Sequence, residues 1–247
     1  MSRKAADQSR AARTAALLEE QKRKERTRNA VVITAIVGVL VAILGVGFLI
    51  SRGGDDSGKA AEKNPKGMTD GYGIVIGQAD APDTVTIYED PQCPICAAFE
   101  AQSRDMLEQG LADGKIKVDY RIVSFLDSQS GNEYSSRAAN ALVAAYEVGG
   151  EDVFKKFHDY LYANQPSEGG DGHEDAELIK QAVAAGADKA KITPEIEDKV
   201  YGQYLVNATD QMSKDGVTGT PTVFINGKKV DGNPQEALDA ISKLVSE

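Results

Sequence analysis

The chain has 247 residues, with 38 acidic side chains against 28 Lys and Arg, and a formal charge of −10. That acidity, together with the lack of any tryptophan, argues against nucleic acid as a partner. The two histidines, His158 and His173, are fifteen residues apart, which is not zinc-finger spacing.

Residues 1–29 are basic, with nine Lys or Arg against four acids and a cluster from Lys22 to Arg28. They read as an Ala-rich, solvated tail that sets topology. The uncharged run Ala30 to Ile50 is 21 residues long, a match to a hydrocarbon core roughly 30 Å thick. It is longer than a signal-peptide core, follows a long polar segment and has no A-x-A site after it. The expectation is an uncleaved, single-pass anchor. The positive-inside rule then places the N-terminus in the cytoplasm and everything after Ser51 outside. Small residues Gly38, Ala42 and Gly45 in this run are ordinary for a membrane span. Residues 51–70 hold Gly, Ser, Pro and mixed charge and read as a flexible tether. Residues 71–247 are long enough for one domain.

Within that domain, Gly73 to Ile76 reads as a short strand. Asp83 to Tyr88 is rich in β-branched residues and predicts a central strand. Next comes Cys93-Pro94-Ile95-Cys96, which holds both cysteines of the chain. Ala97 to Gly110 has helical spacing, and Ile116 to Phe125 predicts another strand. Four helical stretches follow: Ser135 to Val148, Asp152 to Ala163, Asp175 to Ala185 and Pro194 to Lys214. Thr222 to Ile225, the turn Asn226-Gly227 and Lys228 to Val230 predict a hairpin. Pro234 to Val245 closes as an amphipathic helix. Asn207-Ala208-Thr209 fits a glycosylation sequon but falls inside a predicted helix.

A dithiol at the first turn of a helix is reactive, because unpaired N–H groups and the positive helix end favour a thiolate. Outside the cytosol its natural chemistry is thiol–disulfide exchange. A structural disulfide closing so short a loop would remove little chain entropy. No metal is expected at the pair, since a zinc half-site lacks two further ligands.

The order β–α–β, helical insertion, β–β–α resembles the thioredoxin superfamily, and the insertion at about 130–215 resembles its DsbA-like branch. The resemblance rests on Gly77 to Pro82 (G-x-x-D-A-P), on Cys-Pro-x-Cys and on Gly219 to Gly227 (Gly-Thr-Pro-Thr-x-x-x-Asn-Gly). The fused anchor is similar to that of membrane-tethered members of Gram-positive and actinobacterial envelopes. The expected fold class is thus α/β, a thioredoxin-like fold with an inserted helical domain, preceded by one transmembrane helix.

The resemblance implies roles. Cys93 is the expected exposed nucleophile and Cys96 the resolving thiol, with Pro94 and Ile95 as the active-site dipeptide. Pro221 matches the cis-proline, and Thr220 would offer its backbone to an extended substrate. Ile95 stands where the best-known oxidases resemble one another in carrying His. It can neither donate nor carry charge, and Glu89 and Asp90 are close, so Cys93 should be less acidified than in those relatives. The family's buried acid, six residues before the first cysteine, is replaced by Ile87. Water, or Glu89 or Asp90 as displaced acids, could serve instead.

The function expected is an extracytoplasmic, membrane-tethered thiol–disulfide oxidoreductase acting on exported, unfolded proteins, with no cofactor for exchange itself. Reoxidation would come from a quinone-linked partner, DsbB-like or vitamin K epoxide reductase-like. The alternatives are a disulfide isomerase or reductase, which Thr220 also resembles, or a non-catalytic peptide-binding holdase or accessory domain.

Overall fold

The computed structural model describes residues 56–69 and 71–246. The expected basic tail and anchor, 1–50, lie outside the described residues. Among the described residues no helix is long and apolar enough to cross a membrane.

Five strands form one sheet: β1 (Ile74–Ile76), β2 (Asp83–Glu89), β3 (Ile116–Ile122), β4 (Thr222–Ile225) and β5 (Lys228–Lys229). Their spatial order is β1-β3-β2-β4-β5. Strand β2 is central because its side chains suit burial on both faces, with Val85 and Ile87 fully buried on one and Tyr88 buried on the other. It runs parallel to β3 with Val85 opposite Val118 and Ile87 opposite Tyr120. On its other side β4 is antiparallel, with Ile87 opposite Val223. The parallel β2–β3 pair needs a crossover, which α1 (Pro94–Ala112) supplies. At the β4–β5 turn, Asn226 (φ 51°) and Gly227 (φ 76°) both take the left-handed conformation of a type I′ hairpin. The Asn226 side chain ties this turn to β2, accepting from the Thr84 N–H at 2.9 Å and donating to Asp83 at 2.6 Å.

The helical insertion comprises α2 (Tyr134–Ala163), α3 (Asp175–Ala185), α4 (Lys189–Glu197) and α5 (Gly202–Lys214), and α6 (Pro234–Ser246) ends the chain. Helix α2 merges two helices that the sequence predicts separately. The break survives as a kink at Gly150 (φ 74°, ψ −164°), a conformation open to glycine. A second difference lies at Pro194. The sequence predicts one helix from Pro194 to Lys214, but Asp188 caps α4 earlier, its side chain accepting from the Lys191 N–H. Pro194 then falls inside α4, and Lys199 in the left-handed region (φ 48°) separates α4 from α5. The insertion has no core of its own. Leu142, Phe154, Phe157 and Leu161 of α2 belong to the same buried cluster as Val85, Ile87 and Val118 of the sheet.

Residues 56–69 carry no helix or strand and lie along the helical block. The Asn207 side chain of α5 accepts from the Gly58 N–H and donates to the Lys59 carbonyl, both at 3.0 Å. Gln203 donates to the Asp56 carbonyl at 2.8 Å, Lys63 pairs with Glu195, and the Lys66 N–H donates to Glu147 at 2.8 Å.

Candidate active site

Strand β2 ends at Glu89, and the chain turns through Asp90, Pro91 and Gln92 into Cys93, the N-cap of α1. Pro94 takes the first helical position, where a missing N–H costs nothing. Both cysteines are free thiols. Pro94 and Ile95 are open to solvent, Ile95 at 54% exposure, whereas Cys96 is fully buried. Cys93, expected to be exposed, is only 5% exposed. It is covered by the chain before β4, where Cys93 Sγ donates to the Thr220 carbonyl at 3.3 Å. The Thr220–Pro221 peptide bond is cis, as the resemblance implies. The structure therefore brings Cys93, Cys96, Thr220 and Pro221 together.

The two sulfurs differ. A hydrogen bond from Cys96 lowers the Cys93 thiol to about 7, against the opposing effect of burial, with Thr220 and the Ile95 and Cys96 backbone groups also contributing. The direction agrees with the sequence expectation of an acidified thiol. Cys96 is held well above the ordinary thiol range, chiefly by burial and then by its Cys93 neighbour. Such a pair can attack with one sulfur and hold the other in reserve as a thiol.

The geometry separates Glu89 from Asp90. Asp90 accepts from the Gln92 N–H (2.8 Å), the Leu126 N–H (2.8 Å) and Ser135 Oγ (2.6 Å). Burial pushes it up to about 6 despite those three bonds. It fastens the turn before Cys93 to the loop after β3 and to the start of α2. Glu89 points into the interior, where Oε1 meets His158 Nε2 at 2.7 Å and Oε2 has no partner.

Two more residues belong to this site that the sequence did not single out for it. Gln165, just beyond α2, donates to the carbonyls of Pro91 and Cys93, each at 3.0 Å, and so grips the turn from the helical insertion. His158, remote from the dithiol in sequence, lies beneath it in space. Its ring is 4.7 Å from that of Tyr162, and Tyr162 shares a buried cluster with Cys93 and Cys96. The signal in the sequence was a histidine within the apolar stripe Phe154, Phe157 and Leu161.

Glu89, Glu100 and His158 are a buried group of metal-ligand chemistry, their donor atoms within 4.8 Å of one another. The 2.7 Å contact from Glu89 to His158 is shorter than the roughly 3.3 Å that two ligands of one tetrahedral zinc keep, so a proton rather than a metal joins them. Burial, followed by the Glu89 charge, raises Glu100. Burial would lower His158, but Glu89 and Asp159 raise it overall.

Comparison with known proteins agrees with this geometry. A protein-family model described as thioredoxin matches residues 69–245. The reduced disulfide bond oxidoreductase DsbG from Mycobacterium tuberculosis is similar in structure, with TM-score 0.63 and 28% identity over 72% of this chain and 90% of that one. Reduced DsbA from the same organism has TM-score 0.60 and 28% identity over 71% and 93% of the two chains. A curated relative, the serine/threonine-protein kinase PknE of Mycobacterium tuberculosis, is 30% identical over 162 residues, 62% of this chain. The match spans only 28% of that kinase's length. With a dithiol at the head of a helix on a thioredoxin-like sheet, and with those neighbours, the chain belongs to the thioredoxin family, among thiol–disulfide oxidoreductases of the DsbA and DsbG type.

Proposed function

We propose that this protein is a membrane-tethered oxidase that forms disulfides in exported, unfolded proteins. In its bridged form a client thiolate attacks Cys93, the Cys93–Cys96 bond breaks, and Cys96 leaves with the electron pair. A second client thiolate then attacks the client sulfur of the mixed disulfide and releases Cys93 as a thiolate. The client pair is oxidised, the protein pair is reduced, and no cofactor takes part. The observation that carries this reading is the unequal sulfur pair: Cys93 is acidified to about 7 beside the Thr220 carbonyl, and Cys96 is buried and held protonated. Thr220 and Pro221 are the groups beside which an extended client would pair as an added strand.

The tether rests on the apolar run Ala30 to Ile50 behind the basic cluster Lys22 to Arg28, with the extracytoplasmic domain after it; residues 56–69, expected within a flexible linker, are held against that domain by hydrogen bonds. Export of the clients is supported by likeness to the proteins named DsbA and disulfide bond oxidoreductase in Mycobacterium tuberculosis. Reoxidation is assigned to a quinone-linked membrane partner, DsbB-like or vitamin K epoxide reductase-like.

The test is the full chain with Cys96→Ala, expressed in its host. A covalent adduct at Cys93 to secreted proteins and to one integral membrane protein is expected by mass spectrometry. A wild-type chain that cannot cycle between dithiol and disulfide in a glutathione buffer would overturn the reading. Alkylation of Cys93 by a membrane-impermeant maleimide in intact cells is the expected sign of its location; protection until lysis would place the domain on the wrong side.

A further inference from the structure

The backbone of the active-site turn is held from two sides. Asp90 takes its donors: the Gln92 N–H bonds the Asp90 side chain at 2.8 Å and the Cys93 N–H bonds the Asp90 carbonyl at 3.0 Å. Gln165 takes its acceptors, the carbonyls of Pro91 and Cys93, each at 3.0 Å. Only the NH₂ end of that amide can serve two carbonyls, so the partners fix which way it points. The Cys93 carbonyl also receives the Ala97 N–H at 3.2 Å. Its direction sets the plane of the Cys93–Pro94 peptide and hence ψ of Cys93. That angle is 114°, with φ at −75°, the extended conformation of an N-cap. A side chain on such an N-cap lies over the N–H groups of the second and third helical residues. Here those are Ile95 and Cys96, because Pro94 is the first. Their N–H groups are among those that acidify the Cys93 sulfur.

Gln165 is itself braced. The His173 ring donates to the carbonyl of Asn164 at 2.9 Å, and the Gly170 carbonyl accepts from the Gly131 N–H at 3.0 Å and from the Gln92 amide at 3.4 Å. At the other end of α2, Ser135 bonds Asp90 at 2.6 Å, so both ends of this helix, kinked at Gly150, reach the same turn.

We propose that Gln165 is a positioning residue for the exchange reaction: its amide holds Cys93 as the N-cap of α1, so that the sulfur stays above the open helix end. The proposal rests on Cys93 being the attacking sulfur. The bonds of Gln165 go to the backbone, so they are the same whether that sulfur is a thiol, a thiolate or half of a disulfide. The Cys93 side chain can therefore move between client and Cys96 while the N–H groups that receive a released thiolate stay in place. Such donors need no rearrangement at the moment charge appears on the sulfur. Without Gln165 the Cys93–Pro94 plane is left to the Ala97 bond, the buried Pro91 carbonyl loses this donor, and the cap relaxes away from the sulfur. The groups around the sulfur that bear on its charge are Cys96 on α1, Glu89 and Asp90 at the end of β2, Tyr162 of α2 and Thr220 before β4. A change at Gln165 reaches it through the backbone.

The experiment follows alkylation of Cys93 by iodoacetamide against pH in the reduced full chain, with the site assigned by mass, alongside urea unfolding of each variant. Gln165→Met keeps the length of the side chain, carries no charge and removes both donors. Its alkylation midpoint is expected about half a pH unit above the wild type. At pH 6 the rate should be about twofold lower, the loss of thiolate being partly offset by its greater nucleophilicity. At pH 8.5 the glutathione equilibrium should shift about threefold toward the disulfide, because the reduced form has lost thiolate stabilisation. Gln165→Asn holds its amide one methylene short of the carbonyls and is expected to follow Gln165→Met. Gln165→Lys restores N–H donors at similar reach and should bring the midpoint back to the wild-type value or below it. Should Gln165→Met not fold, Gln165→Asn and Gln165→Lys decide. A residue that only steadies the loop would lower urea stability and leave the midpoint unmoved. A wild-type midpoint in Gln165→Met or Gln165→Asn overturns the proposal and leaves the oxidoreductase reading standing. So does a midpoint in Gln165→Lys as high as in Gln165→Met. A wild-type chain alkylated at Cys96 in place of Cys93 removes both.

Discussion

Ile95 occupies the position from which a side chain can act most directly on the Cys93 sulfur. It is 54% exposed, and its backbone is one of several groups that stabilise the thiolate, so acidification here comes from hydrogen bonds without a cationic side chain. An imidazolium at this point would add an opposite charge close to the sulfur. Ile95→His is expected to lower the Cys93 pKa by about one unit and, by stabilising the reduced form, to raise the reduction potential by roughly 30 mV. Alkylation rate against pH and a glutathione titration measure the two; an unchanged alkylation profile would show that the side chain turns away from the sulfur. At this scale the dithiol was legible because its spacing is local. The Glu89–His158 pair was not, because 69 residues separate its members and His158 is disguised within an apolar helical stripe. Gln165 lies between two predicted helices, where nothing local marks it, yet its amide binds two carbonyls of the active-site turn.

Among elements, the end of β2, the loop after β3 and the start of α2 meet on one carboxylate. Asp90 gives its two oxygens to three donors, Gln92 N–H, Leu126 N–H and Ser135 Oγ. Asn at this place keeps one acceptor oxygen and turns an NH₂ toward donors, so at least one buried donor loses its partner. Asp90→Asn is expected to destabilise the fold by about 1–3 kcal/mol, read from urea unfolding. Wild-type stability would mean that the loop can repack around the amide. The strands and the hairpin were legible because β-branched runs and Asn-Gly act through local sterics. The start of α4 was not. Pro194 is a good first-turn residue, but the capping oxygen of Asp188 competes for that role and prevails. Gly149-Gly150 was read as a gap between helices, whereas one residue of positive φ is enough to turn the axis while the hydrogen-bonded helix resumes.

Over the whole molecule, the sequence order identified the thioredoxin-like frame, but low complexity concealed how residues 56–69 are used. Their polar backbone is bonded by side chains of α2 and α5, and Lys63 pairs with Glu195 of α4, contacts that no local pattern encodes. Asn207→Ala removes both bonds to Gly58 and Lys59. It is expected to free this segment and to speed tryptic cleavage at Lys59 and Lys63 about fivefold, the factor that about 1 kcal/mol gives. Equal cleavage would mean that the other contacts suffice. The dithiol also makes global stability depend on redox state and pH together. In the folded, reduced chain Cys93 lies at about 7 against 9.0 for an ordinary thiol. Between those values the unfolded chain binds more protons than the native one, so reduced-state stability rises with pH from about 7 to 9. Below 7 this contribution is lost. Cys96, shifted upward, opposes it only above 9. The bridged chain has neither thiol to titrate and shows no such rise from this pair. Urea unfolding of both forms at pH 6, 7, 8 and 9 should therefore show reduced minus oxidised stability growing by at most about 2–3 kcal/mol, all of it above pH 7. A difference that stays constant across this range would mean that the Cys93 thiolate gains no stabilisation from folding, and the asymmetry of the two sulfurs would go with it.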